Sequence, residues 1–216
     1  MKKKMGSTLA VYPLPVAVVG SEQNGRINYN AIAHVGIMDF QTVSLSMGKM
    51  HYSNQGIKEN KTLSINLTSM EMFDKMTYVG SVSGADTDKS QVFESEYGEL
   101  KGAPMIKEAP VSMECAVIDI YDRPEFDVFI VKIVNTYVRE DVLTDGKIDY
   151  AKVMPVLDDK NVNLPDHVHS SVFPIFEYQK RSILSVRIRS DLLRIIPAWS
   201  VASDWQKDDQ QNKYIL

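Results

Sequence analysis

Cysteine is almost missing: Cys115 is the only one in 216 residues. No intrachain disulfide can form, and neither a cysteine-based zinc site nor an iron–sulfur cluster can be built from one chain. A lone thiol fits a reducing compartment, and a cytoplasmic location is expected. Long apolar runs are missing as well. None approaches the roughly 20 residues that a membrane helix needs, so no membrane partner is expected. The start, MKKKMGSTLAVYPLPVAVVGS, has the basic and apolar parts of a secretory leader, but Pro13 and Pro15 interrupt the helix that a leader core favours. Residues 16–19 read instead as a first strand. Excess positive charge is absent too. A net charge of -4 and a pI near 5.6 remove the electrostatic ground for a nucleic-acid partner.

Several motifs that would carry chemistry are also lacking. No GxGxxG follows a strand and no GxxxxGK[ST] occurs, so a Rossmann turn and a P-loop are both excluded. His34, His51, His167 and His169 lack HExxH spacing, and no metal is expected. Asp86 and Asp88 start like a calcium loop without its glycine and distal glutamate. There is no GxSxG elbow. A phosphate would have to be held by scattered donors.

What is present is an ordinary globular composition, 44% hydrophobic and 24% charged, on a chain long enough for one domain and an appendage. The organising stretch is residues 26–53, RINYNAIAHVGIMDFQTVSLSMGKMHYS. In its first strand Asn28, Asn30, Ile32 and His34 alternate with Tyr29, Ala31, Ala33 and Val35, which puts two amides and an imidazole on one face. In its second, Thr42, Ser44, Ser46 and Gly48 oppose Val43, Leu45, Met47 and Lys49, and a strand glycine marks a bulge or a close approach of ligand to backbone. A half-exposed hairpin with no ligand reads equally well from this stretch alone.

Around it, Asn24-Gly25 predicts a tight hairpin turn. Residues 36–41 read as a loop, Ser53-Asn54 as a helix cap before residues 55–60, and Leu63, Ile65 and Leu67 as a strand. Met72, Phe73, Met76 and Val79 lie at helical spacing behind Ser69, as core filling. Residues 81–90 form a polar loop followed by a helical 93–97 segment. Two long strands follow Pro110, joined at Arg123-Pro124-Glu125. Asp145-Gly146 predicts a turn, and residues 149–153 at most a short helix. Strands in hairpin order with short helices predict a mainly β, antiparallel barrel with helical inserts. The barrel should occupy residues 1–160. Residues 161–216 are expected to be a C-terminal extension, where Leu184, Ile188 and Leu192 keep helical spacing among Arg181, Arg187, Arg189 and Arg194. That helix is either a basic amphipathic surface or a cover for the barrel or a partner subunit.

Phosphate-compatible donors occur in three places: Asn28 and Asn30; Lys49, His51, Tyr52 and Ser53; Ser83, Gly84 and Lys89. The pieces GRINYNAIAHVG, SLSMGKMHYSNQGIKENKTLSINL, TYVGSVSGADTDKS, GAPMIKEAPVSMEC and VLTDGKID, in that order and spacing, resemble the flavoredoxin-like branch of the flavin reductase-like proteins over residues 12–155. The resemblance implies a Greek-key FMN-binding split barrel and a homodimer. Electrons would pass through FMN from NADH, NADPH or an electron-transfer protein. By position, Asn30, Ala31, Ile32, Ala33, Ser46, Met47 and Gly48 would border the flavin, and Tyr52, Ser53, Ser83 and Lys89 would hold its phosphate. Ser53 stands where threonine is common. The tyrosine-containing segment ending in Leu-Gly that usually closes the family's sequence is not found. No residue of the chain is named as general acid or base, because the flavin carries the chemistry. The reading from another class is a non-enzymatic flavin- or phospholigand-binding module for sensing or storage.

Overall fold

The structure, a computed structural model, describes residues 1–158 and the backbone of residues 172–174. Apart from residues 172–174, the extension, with its expected helix, lies outside the described residues.

Seven strands form one antiparallel sheet: β1 (Ala17–Gln23), β2 (Arg26–Ile32), β3 (Val35–Ile37), β4 (Thr42–Gly48), β5 (Thr62–Leu67), β6 (Val111–Asp122) and β7 (Phe126–Val138), in the order β2-β1-β5-β6-β7-β4-β3. Asn24 and Gly25 make the β1–β2 turn at φ 51° and 72°, the left-handed conformations that a two-residue hairpin loop requires. Register shifts at Ile130/Val131 and Ile133/Asn135 put bulges into the β6–β7 pair, and bulges add bend and twist. The sheet curls until its two edge strands, already joined through Ala33 and His34, approach each other, and Ser46 N donates to His34 O at 3.0 Å. This is a half-barrel with a split between β2 and the β4 end.

Alternation explains the two cores. Ala17, Val19 and Ile32 face the barrel interior with Val43, Leu45, Met47, Leu63, Ile65, Cys115, Phe129 and Val131. From the other face of the same hairpin, Val18 and Tyr29 pack under helix α2 (Phe73–Ser81) with Met72, Met76, Val79 and Phe93. Cys115 is fully buried, and burial pushes its thiol up to about 12, so it is inert.

Several local expectations change. Residues 36–41 are not all loop, because β3 pairs with β4. Helix α1 starts at Ser53 rather than residue 55 (Ser53–Asn60), and neither Ser53 nor Asn54 caps it with its side chain. Their polar atoms are drawn to other strands, as described below. Ser69 likewise makes no side-chain cap, and a 3-10 turn, Met70–Met72, precedes α2. Residues 93–97 are not helical. Ser95–Glu96 pairs with Met105–Ile106, while Tyr29 Oη and Ser95 Oγ share a 2.7 Å bond and Lys107 N donates to Glu94 O, holding the segment extended. The Asp145-Gly146 turn and a short helix, Tyr150–Val153 capped by Asp149, are present. No described helix is long and apolar enough to cross a membrane.

Candidate functional site

The split collects three elements: the free edge of β2, the β4–α1 connection, and the loop after α2. Asn28 Nδ2 donates to Ser53 Oγ at 2.7 Å, tying β2 to the first residue of α1. Arg26 Nη2 donates to Gly84 O at 2.6 Å, and its guanidinium lies 5.0 Å over the Tyr52 ring. Gly84 has to be glycine here, since a Cβ would meet Asn28 Oδ1 and come within 2.8 Å of Tyr52. Beside this junction lies a groove of about 460 Å³, lined among others by Lys49, His51, Tyr52, Lys58, Ala85 and Asp127. Its size is within the usual range of small-molecule sites.

The floor of the groove is polar and buried. Asp127, 1% exposed, receives Lys58 Nζ at 2.7 Å and Asn54 Nδ2 at 2.9 Å, and Asn54 Nδ2 also reaches Gly48 O at 3.1 Å. Burial raises the Asp127 pKa, but bonds from Lys58 and Asn54 outweigh it and hold the carboxyl below its usual range. His51 is pushed down by burial and by the Lys89 charge, so its ring is neutral at pH 7. The Asn30 Nδ2 and Asn54 Oδ1 atoms are buried without a hydrogen-bond partner. Such groups destabilise a folded chain unless something is bound to them.

The expected site residues divide. Tyr52 and Ser53 come together with Asn28 and Gly84. Ser83 lies at the exposed start of the same loop, where its hydroxyl accepts from Ala85 N at 3.2 Å. Asn30 and Ile32 face the barrel interior, Ile32 inside its apolar core, while Ala31 and Ala33 face α2. Asn30, Ala31 and Ile32 belong to the edge strand β2, and Ala33 follows it directly. Ser46 and Gly48 are on the outer face of β4, but the Met47 side chain is 1% exposed inside the core and offers only backbone. Lys89 departs most from expectation. It is 2% exposed and donates inward to Tyr29 O at 3.0 Å and Val79 O at 2.8 Å, and burial pushes its pKa down to about 8. The first carbonyl is on the edge strand β2 and the second in the last turn of α2, where a helix leaves its carbonyls without partners, and that draws the ammonium in.

Arg26 and Asp127 were not singled out from sequence, and Asn54 was read only as part of a helix cap. Arg26 could have been: two residues before Asn28, it shares that face by alternation. Asn54 and Asp127 are distant in sequence, and no local pattern links them. The groups present fit a phosphorylated flavin: unpaired buried amides for a heteroaromatic ring, and hydroxyl, amide and guanidinium groups for a phosphate.

The profile of the flavin reductase like domain matches residues 8–158. The structure is similar to a flavoredoxin from Methanosarcina acetivorans, with 35% identity, a TM-score of 0.73, and coverage of 81% of this chain and 91% of that one. It is also similar to the flavoredoxin of Desulfovibrio vulgaris (Miyazaki F), with 29% identity, a TM-score of 0.70, and coverage of 81% and 93%. An uncharacterized protein of Aeropyrum pernix is 24% identical over 136 residues, 61% of this chain; the chain spans only 52% of that relative's length. From the matched profile and the split barrel together, the chain belongs to the flavin reductase-like family, with the flavoredoxins as its structural relatives.

Proposed function

We propose that this chain is a flavin-binding oxidoreductase that holds FMN at the barrel split and passes electrons onward from NADH, NADPH or an electron-transfer protein. The observation that carries this reading is a pair of buried, unpartnered amide atoms in a flavin reductase-like barrel: Asn54 Oδ1 in the lining of the groove, and Asn30 Nδ2 on β2, the strand that borders the split. When bound, FMN supplies a ring that accepts hydride and exchanges one or two electrons. The chain's own groups do the holding. The backbone edge at Asn30, Ala31, Ile32 and Ala33, with Ser46, Met47 and Gly48 across the split, borders the ring. Tyr52, Ser53 and Ser83 serve the ribityl phosphate end, and Lys89 fixes the β2 edge beside them. The neutral His51 ring and the Tyr52 ring exclude water from the groove.

A homodimer in the cytoplasm completes the reading. Ile37, Met38 and Phe40 on the β3–β4 turn and Met50 at the groove expose large apolar side chains, which supports burial against a second copy. The test is the absorption spectrum of the purified protein, followed by NADH and NADPH oxidation with added FMN. A flavin band or saturable FMN binding with turnover is expected. Tight flavin binding without turnover of either nucleotide would favour a sensor or storage module, and no flavin binding at all would overturn the reading.

A further inference from the structure

Arg26 follows the β1–β2 turn and is half-buried at the junction of β2, the start of α1 and the 83–90 loop. Among the described residues no carboxylate lies within ion-pair distance of it, whereas Lys49, Lys58, Lys75, Lys107 and Arg139 each have one. Asp88, in the same loop, accepts Ser90 N at 2.9 Å and interacts with Arg26 only at longer range. The single bond to Gly84 O leaves four of the five guanidinium N–H groups without a described partner. That bond and the Tyr52 ring hold the guanidinium in place, so little further ordering is needed to bind an anion. The loop's other cation, Lys89, is committed to two main-chain carbonyls.

We infer that Arg26 is the anion-recognising residue of the site, a planar fork that takes the dianionic phosphate monoester of the flavin, while Lys89 is a positioning residue for the β2 edge. This rests on the FMN reading above. A guanidinium matches two phosphate oxygens at once, and a lysine point charge cannot. Arg26 also touches Gly84 and Tyr52, whose neighbours in the chain are Ser83 and Ser53.

The experiment is a titration of FMN and of riboflavin, which lacks the phosphate, into the full chain and into Arg26→Gln, Arg26→Lys and Lys89→Met. Arg26→Gln should raise the Kd for FMN about 10- to 100-fold while riboflavin changes by less than about twofold, the loss expected for one charge-assisted contact. Arg26→Lys should recover part of the loss, because it keeps charge and loses the fork. Lys89→Met should weaken both flavins alike. Riboflavin binding also reports that each variant's site is still formed. Equal losses for both flavins in Arg26→Gln, or no loss for either, would overturn the assignment. So would an FMN-selective loss confined to Lys89→Met. If the unaltered chain binds neither flavin, the FMN reading itself fails, and the role of Arg26 falls with it.

Discussion

The β6–β7 wall and the split both bury polar side chains, and they treat them in opposite ways. On the wall, the fully buried Glu114 carboxylate accepts from Asn135 Nδ2 at 2.6 Å, Leu100 N at 2.8 Å, Tyr137 Oη at 3.0 Å and Glu99 N at 3.2 Å. Both oxygens have partners, three on Oε1 and one on Oε2, and the backbone at Glu99 and Leu100 is pinned to the sheet. At the split, Asn30 and Asn54 are 4% and 3% exposed, yet each has a polar atom with no partner. The wall has spent its polar groups on the fold. The split has kept some in reserve, at a cost in stability that only a ligand would offset.

That contrast can be broken most severely from the wall. Phe129→Ala empties a fully buried position of the barrel core and should cost about 3–5 kcal/mol, read as a fall in the denaturant midpoint, with flavin binding lost alongside. Next in size, Glu114→Ala strips four donors of their acceptor and should cost about 3 kcal/mol. Burial raises the Glu114 pKa, but the bonds from Asn135, Leu100, Glu99 and Tyr137 outweigh it, and the folded value lies below the ordinary one. Its stabilisation is therefore complete above the usual carboxylate range and lost as pH falls through the folded pKa. The variant should flatten that acid limb in a pH series of unfolding curves.

Lys89 sharpens the comparison with the opposite sign. Its folded pKa of about 8 lies below the 10.5 of a free lysine, so between those values the unfolded chain holds a proton that the folded chain has released. Stability from this group should rise with pH across that window, on the order of 2 kcal/mol, and Lys89→Met should remove the rise. Gly84→Val acts on the split itself. The added side chain meets the buried Asn28 amide and the Tyr52 ring, and such overpacking should cost about 1–3 kcal/mol in unfolding. FMN binding should also weaken at least about tenfold, equivalent to ~1.4 kcal/mol, by flavin titration.

Much of the barrel was legible because its strands alternate cleanly. The β1–β2 hairpin announced itself through Asn24-Gly25, and β4 and β5 through Val43, Leu45, Met47, Leu63 and Ile65. The α2 stripe of Met72, Met76 and Val79 was equally plain. Residues 93–97 were misread because tertiary bonds from Tyr29 and Lys107 override a weak helical pattern. At the site, alternation indicated the Asn28 and Asn30 face, and the resemblance brought the β2, β4 and loop segments together. It could not show that Lys89 turns inward, since that depends on carbonyls 60 and 10 residues away. Nor could it show Asp127 under α1, which β7 delivers from 73 residues beyond Asn54.

Asn30→Leu asks whether the open polar groups at the split are held for FMN, as proposed. Leucine has nearly the same size and no amide to leave bare. FMN affinity of this variant is measured beside the denaturant midpoint of the flavin-free protein. A midpoint unchanged or raised is expected, with FMN binding weakened about tenfold or more. A lowered midpoint with FMN affinity intact would contradict it, because Asn30 would then belong to the fold, as Glu114 does.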